Sequence, residues 1–191
     1  TSELASFVLT MIHAQQREYG SNDNGKGEKV LIEFVSANPT GPLTIAHGRQ
    51  ACLGDTLAAI MKKCGYKVTK EFYLNDGGNQ IRMLGRSVFI RYLELTGRQE
   101  PFPEDGYQGD YIQKIAAMVY AEKGDAYADK SIGDTATLDY FSRFAADLIM
   151  AGIQEDLKAI SVTFDNYYPE SSLYSKKIPA VLAQLRANGF C

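Results

Sequence analysis

The sequence predicts an α/β fold with a parallel sheet. Residues 30–35 (VLIEFV) form a near-continuous apolar run of strand length, which is typical of a strand buried on both faces of such a sheet. A helix that Gly65 can end follows, and its apolar side is marked by Leu53, Leu57, Ile60 and Cys64. Residues 66–74 then return to an extended pattern. Residues 30–74 are therefore predicted to form one βαβ unit with a right-handed crossover.

An amphipathic helix is predicted before this unit. Apolar residues recur at helical spacing over residues 3–19, at Leu4, Phe7, Val8, Met11 and Ile12. Residues 20–27 (GSNDNGKG) are turn-forming and break the pattern. Residues 1–27 are therefore expected to be a helix followed by a linker.

Helices dominate the chain after the βαβ unit. One is predicted over residues 81–96, ended by Gly97, with an apolar side formed by Ile81, Leu84, Val88 and Tyr92. Pro101, Pro103 and Gly106 then interrupt regular structure, before helices predicted over residues 111–123 and 138–160. This middle third has the pattern of a helical insertion.

A third strand is predicted at residues 160–164, with Asp165 at its end, and a closing helix at residues 178–187. Three strands are few for a doubly wound sheet, so the sheet is expected to be incomplete. The predicted organisation is an N-terminal helix and linker (1–27), a first βαβ part (28–98), a helical insertion (99–160) and a truncated part with the third strand and closing helix (161–191).

The composition is that of an ordinary globular protein. The chain has 191 residues, 45% of them hydrophobic, and a net charge of -3 without blocks of one sign, so its overall field does not attract nucleic acid. Cys52, Cys64 and Cys191 form no CxxC pair, which favours a reducing compartment and argues against a structural zinc site. Because no signal peptide or membrane span is recognisable, a soluble cytoplasmic protein is expected. A monomer is expected as well.

A stiff loop and a histidine follow the first strand. Pro39, Gly41 and Pro42 restrict the loop, and His47 lies in the first turn of the next helix. Unpaired N–H groups and the positive end of the helix dipole favour an anion there, so a donor imidazole can hold a phosphate oxygen. The alternative is that Thr44 only caps the helix and His47 is a solvated surface residue. The loop matches neither the GxxxxGK[ST] pattern nor GxGxxG.

Glu33 is placed by the pattern inside a buried strand, where an unpaired carboxylate is costly and needs a cation. That cation is either an internal Lys or Arg, or the guanidinium or ammonium group of a substrate. Ser36 and Asn38 lie just past the strand, where ligands bind in open α/β sheets, although turn formation explains them equally well.

A second polar loop, NDGGNQ at residues 75–80, follows the next strand and is expected to face the same crevice. Its candidate site residues are Asn75, Asp76 and Gln80. A turn and a helix cap are the alternative explanation. A solvated face best explains the nearby Lys62, Lys63, Lys67 and Lys70. No cluster of metal ligands is recognisable, which leaves only a Mg²⁺ ion brought in by ATP.

The segment SANPTGPLTIAHGRQACLGD closely resembles the signature region of class I arginyl-tRNA synthetases, with Thr44, Ile45, Ala46 and His47 at the HIGH motif. EFYLNDGGNQI, PFPEDGYQGDYI and FDNYYPESSLYS resemble later segments of that family in the same order. The resemblance implies a Rossmann-like, HIGH-type nucleotidyltransferase fold. It also implies that ATP, as its Mg²⁺ complex, activates L-arginine to arginyl-adenylate, which is then transferred to tRNA(Arg).

The resemblance also implies roles for particular residues. Glu33, Ser36 and Asn38 match arginine-binding positions, and Thr44 and His47 match the catalytic pair. The implied ATP-binding residues are Pro39, Thr40, Gly41, Thr44, His47 and Gly48. Thr44 stands where the family has its first histidine and carries no positive charge, and Ala46 replaces the motif's glycine.

The expected protein is thus a fragment of a synthetase catalytic domain, inactive by itself, with most tRNA contacts elsewhere. Two alternatives remain at this point. One is a non-catalytic module that binds a nucleotide or an RNA end, which the threonine at position 44 motivates. The other is a pantothenate synthetase-like nucleotidyltransferase.

Overall fold

The computed structural model of the chain describes residues 2–190. Thr1 and Cys191 lie outside the described residues, so the expectation about the three cysteines is followed only for Cys52 and Cys64. Both are free thiols within the described part of the chain.

The described residues contain a parallel sheet of three strands: β1 (Lys29–Glu33), β2 (Lys67–Leu74) and β3 (Asn166–Pro169). The order is β1-β2-β3, with β1 paired to β2 from Lys29↔Lys67 to Glu33↔Glu71. This confirms the α/β class and the βαβ unit, which is completed by helix α2 (Ile45–Lys63).

The third strand does not lie where the pattern predicts it. Residues 160–164 are not part of a strand; β3 begins at Asn166 instead. Ser161 has a φ of +62°, and the Val162 N–H donates to the Leu157 carbonyl at 2.9 Å, so these residues close the preceding helix in a Schellman-type turn. The first three residues of this β-rich segment, 160–162, therefore form a helix terminus rather than a strand.

The first strand is shorter than the apolar run and is not buried on both faces. Lys29, Leu31 and Glu33 are exposed, whereas Val30 and Ile32 are partly covered. Leu31 is 58% exposed, so the prediction of a doubly covered strand is wrong for the described residues. Because successive side chains alternate between faces, Glu33 lies on the open face of the sheet.

Helix α2 covers the other face of the sheet with small residues. Its buried positions are Ala51, Gly54 and Ala58, while the predicted apolar side is exposed at Leu53, Leu57 and Ile60. A Cβ at Gly54 would lie 2.2 Å from the Phe34 ring, so glycine lets the helix approach the sheet closely there. The predicted buried side was therefore wrong, because helix packing on this sheet depends on small rather than large side chains.

The largest part of the core lies in the helical layer. It is built from helices α3 (Gly78–Leu95), α4 (Asp110–Lys123) and α5 (Thr135–Ala159). The predicted apolar side of α3 is buried, and Gly97, with a φ of +85°, ends the helix as expected. Fully buried large side chains include Phe72, Phe89, Tyr92, Phe141 and Leu157.

The remaining helices lie at the periphery. Helix α1 (Ser2–Gln15) is followed by a 3₁₀ turn (Gln16–Glu18), and α6 (Ser171–Tyr174) and α7 (Lys177–Ala187) close the described chain. None of their described residues is buried. Both long helices were predicted, the first from its apolar spacing, but such spacing does not indicate whether another surface covers the helix.

Lys70 is not part of a solvated basic face. Its side chain is 10% exposed and its Nζ lies 2.7 Å from the Asp55 carboxylate of α2. The Lys70 backbone N–H also donates to the Asp165 carboxylate at 2.8 Å. The lysine therefore ties β2 to α2 and to the turn before β3.

We expect Asp55→Asn to lower the free energy of unfolding by about 1–2 kcal/mol, because it leaves the Lys70 ammonium buried without a counter-charge. The loss is smaller than for a fully buried pair because Asp55 is 33% exposed. Lys70→Met is the matched control, and we expect it to cost about 1 kcal/mol or less, since water can reach the remaining carboxylate. Urea denaturation measures the free energy of unfolding of both variants. The interpretation is contradicted if Lys70→Met destabilises the protein as much as Asp55→Asn, or more.

Candidate active site

The candidate site is a crevice beside the loop that leaves β1. A cavity of about 370 Å³ opens there. Its lining comes from the β1–α2 loop, the first turns of α2 and α3, and the segment before and at the start of α4: Asn38, Thr40, Gly41, Pro42, His47, Gln80, Tyr107 and Tyr111. The position, past the carboxyl ends of parallel strands, is the one at which open α/β sheets bind ligands.

The chain leaves β1 through a strained turn. Val35 and Ser36 have φ values of +65° and +40°, and the Ser36 N–H donates to the Phe34 carbonyl at 2.9 Å. A positive φ is a real outlier for a β-branched residue such as valine. Backbone strain of this kind persists only where the surrounding structure holds it, and it is frequent at functional sites.

Glu33 and Ser36 are joined across this turn. The Ser36 hydroxyl donates to the Glu33 carboxylate at 2.6 Å and accepts the Tyr73 N–H from β2 at 3.1 Å. The premise of a buried glutamate was wrong, since Glu33 is exposed. Glu33 also forms no ion pair with a lysine or arginine among residues 2–190, so the internal partner considered above is not observed there. Its carboxylate is oriented by Ser36 and open to a ligand.

Asn38 and Gln80 meet in the crevice. The Asn38 side-chain amide donates to the Gln80 side-chain oxygen at 2.7 Å, although the two residues are 42 positions apart in sequence. Both line the cavity. The bond turns the Asn38 carbonyl oxygen away from Gln80 and makes it available as an acceptor.

His47 lies in the first turn of α2 with one ring nitrogen already engaged. Its Nδ1 accepts the Thr44 N–H at 3.1 Å, and the Thr44 hydroxyl lies 3.1 Å from the same nitrogen. Because Nδ1 accepts a backbone proton, the neutral imidazole carries its own proton on Nε2. His47 therefore offers an N–H donor to the crevice, beside the positive end of a 19-residue helix.

Tyr107 and Tyr111 also line the crevice and were not among the predicted site residues. The Tyr111 hydroxyl donates to the Thr40 carbonyl at 2.7 Å. Burial raises the pKa of the Tyr111 hydroxyl, with a smaller contribution from Tyr107. The sequence signal was available in the PFPEDGYQGDYI segment, but spacing alone does not indicate that it turns toward the first loop.

Asp76 does not face this crevice. Its carboxylate accepts the Ser171 N–H at 2.8 Å and the Ser171 hydroxyl at 2.6 Å, so it holds the start of α6. It lines a different cavity, of about 350 Å³, with Arg82 and Arg143. Of the three residues expected from the second loop, only Gln80 is among those that line the crevice, while Asn75 is half-buried in the loop.

The other predicted residues surround the crevice. Pro39 is buried within the loop, Thr44 is exposed at the start of α2, and Gly48 is half-buried on its first turn. Thr40, Gly41 and His47 lie on the cavity wall itself. Of the residues proposed for arginine, Asn38 shares this cavity with those proposed for ATP, whereas Glu33 and Ser36 are not among the residues that line it.

Neither a metal-ligand cluster nor a membrane-spanning helix occurs in the described chain. Among residues 2–190, no group of three or more His, Cys, Asp or Glu side chains is placed to hold a metal ion. Over the same range, no helix is both long and apolar enough to cross a lipid bilayer.

The sequence family described as "tRNA synthetases class I (R), catalytic domain" matches residues 8–191. An arginine–tRNA ligase of Desulfosudis oleivorans is 46% identical over 183 residues, which are 95% of this chain and 33% of that protein. An arginine–tRNA ligase of Syntrophotalea carbinolica is 45% identical over 172 residues, or 90% of this chain and 31% of that protein. The chain therefore spans about a third of the length of these curated relatives.

Solved structures agree with this match. A crystal structure from Campylobacter jejuni, named as an arginyl-tRNA synthetase, superposes with a TM-score of 0.79 at 31% identity. It is matched over 97% of this chain and 39% of its own. The Thermus thermophilus arginyl-tRNA synthetase shares the fold, with a TM-score of 0.53 at 21% identity over 93% of this chain and 30% of its own. The match to the synthetase family over residues 8–191 decides against the pantothenate synthetase-like alternative.

Proposed function

Because the chain belongs to the family of class I arginyl-tRNA synthetase catalytic domains, we propose that it supplies ATP and arginine contacts for arginine–tRNA ligation. The observation that carries the proposal is the crevice in which Asn38 and Gln80 share one cavity with His47. A nucleotide and an amino acid that react with each other need such adjoining surfaces.

The first step of the proposed reaction is attack on ATP. A carboxylate oxygen of arginine forms a bond to the α-phosphorus, the bond from that phosphorus to the bridging oxygen breaks, and pyrophosphate leaves. Negative charge then grows on the departing oxygens, where the His47 Nε2–H and the start of α2 supply preorganised donors. Thr40, Gly41 and Gly48 border the same end of the site, with Pro39 stiffening the loop.

Arginine recognition is assigned to the residues after β1. The Glu33 carboxylate provides two acceptor oxygens for the guanidinium or ammonium group, and Ser36 orients it through the bond of 2.6 Å. Asn38, oriented by Gln80, offers a carbonyl oxygen to a second polar group of the amino acid. Ser36 thus acts through Glu33, which refines its expected role as a direct arginine contact.

The partners follow from this assignment. ATP enters as its Mg²⁺ complex, and the terminal ribose hydroxyl of tRNA(Arg) attacks the adenylate carbonyl in the second step, releasing AMP. We assign the reaction to the cytoplasm, which the free thiols of Cys52 and Cys64 support, since such cysteines are typical of reducing compartments. A monomeric enzyme is part of the same proposal.

A second candidate is a module that binds a nucleotide without chemistry. It is favoured by Thr44, whose hydroxyl lies against His47 Nδ1 and carries no charge toward a phosphate. The two candidates differ in one respect: only the ligase site needs to distinguish arginine from other amino acids.

Calorimetric titration of the 191-residue chain with ATP and with arginine separates them. We expect both ligands to bind, and arginine to bind at least about tenfold more tightly than lysine, because a planar guanidinium can engage a carboxylate through two hydrogen bonds. Binding of ATP without selectivity for arginine supports the module instead. Binding of neither ligand overturns the assignment of both contacts to this chain.

A further inference from the structure

We infer that Tyr111 is a positioning residue for ATP: its hydroxyl fixes the Thr40 carbonyl and thereby the loop that forms the phosphate side of the crevice. The inference rests on the proposed function and assigns a role to the helical segment that follows α3. The sequence pattern had indicated only an insertion there.

The first support is the anchoring of the tyrosine itself. Tyr111 lies in the first turn of α4, next to Ile112, which is fully buried, and four positions before the buried Ile115. Its backbone position is therefore held by the core of the helical layer. Its ring lies against Gly109, where a Cβ would come within 2.5 Å of a ring carbon, so a larger residue there would displace the ring.

The second support is the geometry of the loop. The Thr40 N–H donates to the Asn38 carbonyl at 2.7 Å, and the Thr40 carbonyl accepts the Tyr111 hydroxyl at 2.7 Å. A Cβ at Gly41 would lie 3.2 Å from that hydroxyl, so the glycine lets the loop approach the tyrosine. The peptide between Thr40 and Gly41 is thus held from the helical layer, on the wall of the cavity that His47 shares.

The third support is the chemistry of the bond. Burial raises the pKa of the Tyr111 hydroxyl, so the group stays protonated and remains a donor over the whole neutral range. A carbonyl that accepts this bond cannot rotate toward the crevice, where its partial negative charge would oppose the phosphates. Tyr111 therefore contributes by keeping an acceptor away from an anionic ligand.

Tyr111→Phe removes only the hydroxyl, and Tyr120→Phe is the matched control, since Tyr120 is half-buried on the same helix and does not line the crevice. In Tyr111→Phe we expect the dissociation constant for ATP to rise about fivefold, as for the loss of one hydrogen bond. The dissociation constant for arginine should change less than about twofold, because the Asn38 side chain is held by Gln80 and the Glu33 side chain by Ser36, and neither bond involves the Tyr111 hydroxyl. Tyr120→Phe should leave both constants unchanged.

A second readout does not depend on ligand binding. The Thr40 carbonyl and the Gly41 nitrogen belong to one peptide group, so loss of the bond should shift the Gly41 ¹⁵N amide resonance and speed its hydrogen exchange in Tyr111→Phe. The inference is overturned if the Gly41 resonance does not move or if the ATP affinity does not change. It is also overturned if the affinities for ATP and arginine fall equally and the Tm is lowered. If the wild-type chain binds neither ligand, the proposed function fails separately, and the Gly41 resonance still decides whether Tyr111 holds the loop.

Discussion

Glu33→Gln is expected to weaken arginine binding about 30-fold while leaving ATP affinity within about twofold of the wild-type value. The substitution keeps the size of the side chain and its bond to Ser36, but it removes the charge that faces the open side of the sheet. Hydrogen bonds to charged groups contribute about 1.5–3 kcal/mol, which corresponds to the expected change in affinity. Calorimetry with arginine and with citrulline, its uncharged isostere, measures the effect.

Citrulline distinguishes the role of charge from that of shape. Wild-type protein should prefer arginine over citrulline, and Glu33→Gln should remove most of that preference. Glu71→Gln is the matched control, because Glu71 is the register partner of Glu33 on β2 and shares its face. Since the Glu71 carboxylate is half-buried and already accepts the Asn166 side-chain amide, it is less available to a ligand, and we expect Glu71→Gln to weaken arginine binding less than about threefold. If both variants lost the same arginine affinity, the effect would come from the overall negative charge of this face rather than from Glu33.

The strands show which parts of the fold can be predicted from sequence. The extended pattern of residues 66–74 predicted β2 nearly to its ends, because that strand is central and its apolar residues are covered. The apolar run at residues 30–35 indicated the right position for β1 but the wrong burial, since Leu31 faces the open side of the sheet. The spacing of apolar residues indicates a strand, but it does not indicate which face of that strand another element covers.

The helices show a related limit. Large apolar residues at helical spacing predicted the buried side of α3, where side chains interlock with α5. The same rule failed for α2, because its sheet-facing side is made of Ala51, Gly54 and Ala58. Small residues carry little hydrophobic signal, yet they allow the closest packing. The position of β3 failed for a different reason, the positive φ of Ser161, which composition does not indicate.

Position along the sequence predicted which residues of one loop line the crevice, but it did not predict which residues of different loops meet there. Asn38, Gly41 and His47, which follow one strand and begin one helix, line the same cavity, as does Thr40, which only the family resemblance had indicated. Asp76 was expected in the same crevice because its loop follows the neighbouring strand, but its hydrogen bonds to Ser171 direct it elsewhere. Tyr111 was missed because its contact with Thr40 joins residues 71 positions apart.

Gly85→Ala is expected to lower the free energy of unfolding by about 2–3 kcal/mol, despite the higher helix propensity of alanine. Gly85 lies where α3 crosses α5, and a Cβ there would lie 2.1 Å from the Ser142 hydroxyl oxygen and 2.7 Å from the Ser142 backbone nitrogen. A flexible side chain could move away, but the backbone of a buried helix cannot do so without separating the two helices. Urea or thermal denaturation followed by circular dichroism measures the loss.

Gly152→Ala is the matched control, since this glycine lies within α5 and a Cβ added to it would meet no atom of the described chain within 4 Å. It should stabilise the protein by about 0.5–1 kcal/mol through helix propensity alone. Ser142→Ala removes a buried hydroxyl that has no hydrogen-bond partner among residues 2–190, so it should be tolerated by itself. Combined with Gly85→Ala it should restore only part of the stability, because the contact with the backbone nitrogen remains. Full restoration would show that the hydroxyl, rather than the approach of the two helices, requires glycine at position 85.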